Sequence, residues 1–325
     1  NDALPTNIAL LIGQSGTALA ALDLAGFNQQ LAVFQDNAGG GGTTIVTNSS
    51  SVSDSTLTLT GNSGTFNGVI KNGLTRKTSL TLNGGTLTLG GNNTYSGDTV
   101  INGTLNLAGN GQIPNSAVVS LAAGSTLDAS TRSDGTLTLG SAQKLKGDGT
   151  FNIGGSLTSA GTIELKVNKS GATLTGDQIQ VANQINYGGT LNVVLSGNAL
   201  AGGDNIKLFN AAAYAGAFST IVPSTPGSGL LWDTSTLTTD GTLKVVGSGA
   251  PSVTSTFRSG NNVIFSGTGG TANATYYVLS STNIATPVAS WIPVQTNQFD
   301  ASGNFSVTNA IVPSVPNNFY LLRIP

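Results

Sequence analysis

The sequence predicts an all-β protein, a right-handed parallel β-solenoid followed by a small antiparallel β-sandwich. Three observations predict it. A Gly-Thr pair followed by alternating apolar residues recurs at 85–89, 103–107, 135–139, 149–153, 161–165, 189–193 and 241–245. Turn pairs of Asn-Gly or Asp-Gly type stand between or just before these runs, at Asn72-Gly73, Asn83-Gly84, Asn102-Gly103, Asn110-Gly111, Asp134-Gly135, Asp148-Gly149 and Asp240-Gly241. After 247–251 the repeat vanishes and aromatic residues crowd in.

Each Gly-Thr copy starts with a residue that tolerates a bend and then alternates apolar with polar side chains, the pattern of a half-buried strand. Strands so short cannot bury their apolar row alone, and stacking them coil on coil does so. Leu105, Leu107, Leu137, Leu139, Ile163, Leu165, Leu191 and Val193 are therefore expected in one continuous core. The Asn-Gly and Asp-Gly pairs accept positive φ cheaply and read as coil corners as readily as hairpin turns. At roughly 20 residues a coil, the region from Leu4 onward holds about ten to twelve coils.

Two segments break the rhythm. The Ala-rich run 210–218 reads as a loop, a short helical turn or a wide coil, and Gly39 to Gly42 with 47–53 reads as loop excursions. The domain boundary is drawn at 249/250, giving a solenoid over 1–249 and a module over 250–325. In the module, strands are expected at 252–259, 261–266, 275–280, 292–297, 303–309 and 318–324, six short antiparallel strands of a sandwich.

A chain of 325 residues can bury about three-quarters of its unfolded surface, so a sizeable core is available. The formal charge of −2 and the lack of any basic run beyond Arg76-Lys77 leave no electrostatic footprint for nucleic acid or anionic lipid. No stretch approaches the roughly 18 apolar residues of a membrane helix. Cys, Met and His are all absent, so no disulfide framework forms, and Asn1 reads as a processed or truncated start. An oxidation-resistant composition of this kind suits an extracellular life.

The segment Leu87-Thr88-Leu89-Gly90-Gly91-Asn92-Asn93-Thr94-Tyr95-Ser96-Gly97-Asp98-Thr99-Val100-Ile101-Asn102-Gly103-Thr104-Leu105 resembles the autotransporter-associated β-strand repeat, also called the passenger-associated transport repeat, with its pattern GTLxLxGxNTYxGxTxIxxGTLxL. The stretches 4–7, 22–29 and 64–70 resemble the degenerate coils around that repeat. The likeness covers 4–139 closely and 140–249 in style. Tyr276-Tyr277 to Asn283, Trp291, 299–305 and 319–325 are similar to a C-terminal module that ends many such secreted proteins of environmental Gram-negative bacteria. The resemblance implies export and an extracellular or cell-surface role, and no catalytic activity. A true autotransporter ends in a membrane barrel of about a dozen strands; 250–325 reads instead as a soluble module, so self-translocation is not expected of these residues.

Catalysis by Cys or by a His-based triad is excluded, because neither residue type occurs. The acids are thirteen Asp and the single Glu164. The densest set is Asp128, Asp134 and Asp148 with Arg132 and Lys146. A polysaccharide hydrolase or lyase places two or three acids together on one coil face, whereas Asp134 and Asp148 precede a strand Gly, where capping the turn is the favoured role. No calcium-loop pattern occurs, the Gly39 to Gly42 run lacks the Lys and helix of a phosphate loop, and no cofactor or metal is expected. Asn93, Tyr95 and Asn102 read as coil packing and amide stacking. Trp291, Tyr276 and Tyr277 read as sandwich core, with a sugar-stacking platform as the other role.

The expected function is an extracellular structural or adhesive protein that assembles with itself into a fibre or surface layer through end-to-end β-contacts. Ile8, Leu10 and Ile12 at one end and Phe319, Leu321 and Ile324 at the other are the expected assembly residues. The alternative is a polysaccharide-binding or polysaccharide-processing β-helix, with cell-surface polysaccharide as partner.

Overall fold

The computed structural model describes residues 3–13, 19–37, 43–227, 230–247, 251–270, 273–300 and 303–324. The expected 249/250 boundary, the Gly39 to Gly42 loop and Asn1 lie outside these residues. By its contacts the chain divides into two compact units, one built of 1–227 with 232–245 and one containing 246–325.

The first unit is a parallel β-solenoid of about seven turns, fewer than ten to twelve. Its coils are longer and less even than 20 residues. Leu145 pairs Ile163, eighteen residues on, while Leu191 pairs Ile221, thirty residues on. The longest face runs in parallel register from Gln29–Leu31 to Thr220–Val222. A second face carries Thr65–Phe66, Thr86–Leu89, Thr104–Leu107, Thr126–Asp128 and Thr150–Gly154. A third carries Ala20–Asp23, Thr44–Thr47 and Val69–Ile70 in the early coils and Thr136–Leu139 and Ser156–Ser159 in later ones. The long strand Gln178–Tyr187 is shared: its first half pairs the second face and its second half the third, on either side of an irregularity between Val181 and Gln184.

Alternation decides which side chains go inside. All eight expected core residues are buried, from Leu105, Ile163, Leu165 and Leu191 with no exposure to Leu137 at 7%. Gly147 occupies an inward position of the long face because the Phe151 ring fills the space a Cβ would need, 2.0 Å from its Cε1. Six of the seven Gly-Thr strands are solenoid rungs. The seventh, Thr242–Gly247, is not; it pairs antiparallel with Asn205–Lys207. It follows the last coil, where the chain turns back through the helix Leu237–Asp240 and Gly241 at φ 77° instead of adding a rung. The Ala-rich segment is a coil strand, Phe209–Gly216, lying on Gln178–Tyr187. That far end of the solenoid is covered within its own unit. Tyr187 donates its hydroxyl to the Leu237 carbonyl (3.0 Å), Phe209 N–H bonds the Gly241 carbonyl, and the Tyr187 ring packs on Phe209 and Phe218.

The second unit contains the six expected strands in two antiparallel sheets. One orders Ser252–Ser259, Asn262–Thr268 and Phe305–Ala310; the other orders Ile292–Gln298, Thr275–Ser281 and Phe319–Arg323. Phe265, Phe305 and Val307 of the first meet Tyr276 and Val278 of the second around Phe299, so the sheets form a small sandwich with its own core.

Candidate functional site

The outward row along the long face reads Thr58, Thr81, Val100, Ser120, Lys146, Glu164, Asn192, Val222, each in register with the next. Hydroxyl, amide and aliphatic groups dominate it, and charge concentrates on two adjacent rungs. The strand Lys144–Asp148 presents Lys144, Lys146 and Asp148; the next presents Glu164 and Lys166. Lys144 Nζ bonds Glu164 Oε2 at 2.6 Å, and Lys166 Nζ bonds Asp148 Oδ1 at 2.8 Å. Asn192 on the following rung donates to the same Glu164 oxygen (2.9 Å). Lys146, Asp148, Glu164 and Lys166, with Asn102, Ser120 and Asp177, line a shallow groove of about 280 Å³ on the solenoid surface.

The electrostatics follow from the pairing. The Lys144 hydrogen bond, helped by Asn192, holds the Glu164 carboxyl below its usual range against a partial desolvation cost. The Lys166 bond does the same for Asp148. Both acids are therefore ionised near neutrality, able to accept hydrogen bonds from ligand hydroxyls but poor proton donors. A general acid needs the opposite shift. Among the described residues no group of three or more acids, His or Cys is placed to hold a metal ion.

The sequence-expected acid set is divided by the fold. Asp128 Oδ1 accepts the Ser130 N–H (2.8 Å), and Asp134 accepts the Thr136 N–H (3.1 Å) while binding Arg132 through both guanidinium Nε and Nη2 (3.0 and 3.1 Å). These two cap turns as expected. Asp148 pairs with Lys166 on the long face, and the Gly149 N–H is capped by Asp177 (2.6 Å), whose other oxygen takes the Lys166 N–H (2.8 Å). The residue preceding the Gly points outward from its strand, and the acid from the coil above reaches the turn in its place. Lys144, Glu164, Lys166, Asp177 and Asn192 escaped the sequence reading. The signal was present in the alternating Lys-Leu-Lys-Gly-Asp and Thr-Ile-Glu-Leu-Lys runs, once the two are known to stack.

Buried amides and hydroxyls hold the corners. Asn93, fully buried, accepts the Ile70 N–H and donates to the carbonyls of Gly91 and Gln112. Tyr95 joins its hydroxyl to Thr99 (2.7 Å), which continues to Ser116 (2.8 Å), inside the coil. Exposed Asn102 reaches Asn83 one rung away (3.3 Å). The three positions serve packing and amide stacking.

The assembly residues occupy two places. Ile8 and Leu10 are half-buried and Ile12 is buried on the first coil, whose strand Ala9–Ile12 pairs Val33–Asp36. Phe319 and Leu321 lie on a sheet-edge strand of the module and Ile324 just beyond it, with Leu321 and Ile324 exposed. Phe319 and Leu321 line an apolar groove of about 600 Å³ that also takes in Val253, Val312 and Val315. The aromatic trio does not form a platform. Tyr276 is in the core, Tyr277 faces the other way beneath Arg323 (5.1 Å), and half-buried Trp291 donates its Nε1 to the Thr286 carbonyl (2.8 Å).

No described helix is long and apolar enough to cross a membrane. Fold and surface together define a parallel β-solenoid carrying an appended β-sandwich. Compared with protein-family models, curated proteins and solved structures, the chain matches none.

Proposed function

We propose that the chain is an extracellular structural or adhesive protein that assembles with itself into a fibre or surface layer through β-edge contacts. The observation that carries this reading is the long parallel face, whose outward row is mostly hydroxyl, amide and aliphatic, over an apolar core pinned by buried amides. Such a stack is stiff, and its repetition supplies length. The chemistry of the charged groove supports it: lysines hold the Asp148 and Glu164 carboxyls below their usual range, the opposite of what a general acid needs. The resemblance of 87–105 to the autotransporter-associated repeat supports export. The far end of the solenoid is covered by 232–245, so assembly through that end is not expected.

Immunogold electron microscopy of producing cells tests the reading. Label on material outside the cell is expected. Label confined to the cell interior, or turnover of a pectin, alginate or glucan by the purified chain that Glu164→Gln abolishes, would overturn it.

The two-rung charged groove favours polysaccharide contact as a second reading. Lys146, Asp148 and Glu164 offer one ammonium and two carboxylates beside the amide of Asn102 and the hydroxyl of Ser120. Retention of the chain on an insoluble acidic polysaccharide, lost in Lys146→Glu, is the outcome this reading expects.

A further inference from the structure

We infer that the C-terminal sandwich is a two-fold dimerisation module, in which the strand Ser252–Ser259 of each copy fills an open strand position in the other. This goes beyond the scaffold reading by naming a contact that pairs two copies; being closed, it does not itself extend a fibre, which takes a second contact.

The inference starts from the offset of the two sheets. Phe265, on the central strand of the first sheet, packs on Tyr320 of the edge strand Phe319–Arg323 (5.6 Å). Phe305 of the first sheet packs on Tyr276 of the second sheet's central strand (5.8 Å). The sheets are thus displaced by one strand. Ser252–Ser259 overhangs, with no strand of the second sheet beneath it, and all eight of its residues are exposed. Residues directly opposed in an antiparallel pair share a face, so Val253, opposite Gly267, and Thr256, opposite Phe265, look into the space under the overhang. That space is the 600 Å³ groove, bounded on its other side by the edge of Phe319–Arg323.

The overhang and the open position beside it are the same width, one strand, and belong to the same molecule. A half-turn about an axis along the strands places the overhang of one copy in the open position of its mate, and the reverse. Each sheet then continues across the axis as six strands. A contact of this kind is isologous and closed. The contact covers the apolar side chains that line the groove, among them Val253, Val312, Val315, Phe319 and Leu321, and an edge strand whose eight residues are all exposed.

The opposite edges of the sandwich are guarded, and this gives the contact its direction. Ile292–Gln298 carries Pro293, which breaks a ladder, and Gln295 Nε2 donates to the Thr308 carbonyl (2.7 Å) and Asn309 Oδ1 (3.0 Å), covering the edge of Phe305–Ala310. Ser252–Ser259 has no Pro and a single charge, Arg258, over eight residues, and after one irregularity between Val253 and Ser255 it runs in regular register to Ser259. Native edges of that length are normally blunted or paired.

Light scattering of the full chain after size exclusion is the test, with the melting curve as control for folding. Wild type is expected to run as a dimer that Val253→Lys converts to a monomer, with at least a tenfold rise in the dissociation constant, while Ile292→Lys at the guarded edge stays dimeric. Because the chain has no native cysteine, Thr256→Cys gives an independent reading. The two-fold axis brings the two copies of that position face to face across sheets about 10 Å apart, too far for a disulfide, so a short bismaleimide cross-linker should yield a covalent dimer, and Gln298→Cys should not. A monomer at all concentrations, a dimer unaffected by Val253→Lys, or no cross-link at Thr256→Cys would overturn the inference. Dimers without fibres would leave the dimer standing and count against the scaffold reading; fibres built from monomers would do the reverse.

Discussion

Buried amides do work at single positions that no hydrophobic residue can do, because a coil corner leaves backbone donors and acceptors pointing inward. Asn93 satisfies three such groups and Asn48, equally buried, satisfies four, two N–H groups and two carbonyls. Asn93→Ala strands the Ile70 N–H, while the Gly91 and Gln112 carbonyls keep the backbone N–H groups of Gln112 and residue 93; one stranded group costs about 1–3 kcal/mol unless water reaches it. Urea denaturation should show a loss of about 2 kcal/mol, against less than about 0.5 kcal/mol for exposed Asn102→Ala. Glu164 gives a pH dependence. Its carboxyl is held low in the folded chain, so its contribution is present above its unfolded value, near pH 4.5, and is lost as the pH falls through the folded value. Glu164→Gln should therefore flatten the drop in urea midpoint between pH 5 and about pH 3; an unchanged drop would assign the acid limb to other carboxylates.

At the scale of the strand, the inward leucines carry the stack. Leu105 is fully buried on a rung paired to both neighbours, so Leu105→Asp places an unpaired charge in a dry core and should cost about 4 kcal/mol or more in chemical denaturation. Leu137→Asp should cost less. Its strand pairs a neighbour on one side only, and Leu137 lines a cavity of about 140 Å³, where the carboxylate can take up water. Equal losses at the two sites would contradict the difference in packing. The rungs were legible in the sequence because alternation and the Gly-Thr start are local signals, as the six solenoid copies show. Thr242–Gly247 has the same local signal and a different place, since nothing inside 241–245 records that the preceding helix has closed the stack. The module strands were legible for the same local reason. The charged groove was not, because Lys146 and Glu164 become neighbours only through the register of two coils. Asp177 was missed for the same cause: its partners, Gly149 and Lys166, are brought to it by stacking.

At the scale of the molecule, the chain combines a stiff solenoid, faced mostly with uncharged groups, with a sandwich that keeps one edge open. A parallel stack has its backbone hydrogen bonds along the coil axis, so rods built from it carry a spacing of about 4.8 Å in that direction. Fibre diffraction from concentrated, aligned full-length protein, with electron microscopy of the same sample, tests the central claim most directly. Ordered rods or layers with a reflection near 4.8 Å along the rod are the predicted result. Unordered monomers at every concentration, with no such reflection, would contradict the assembling scaffold.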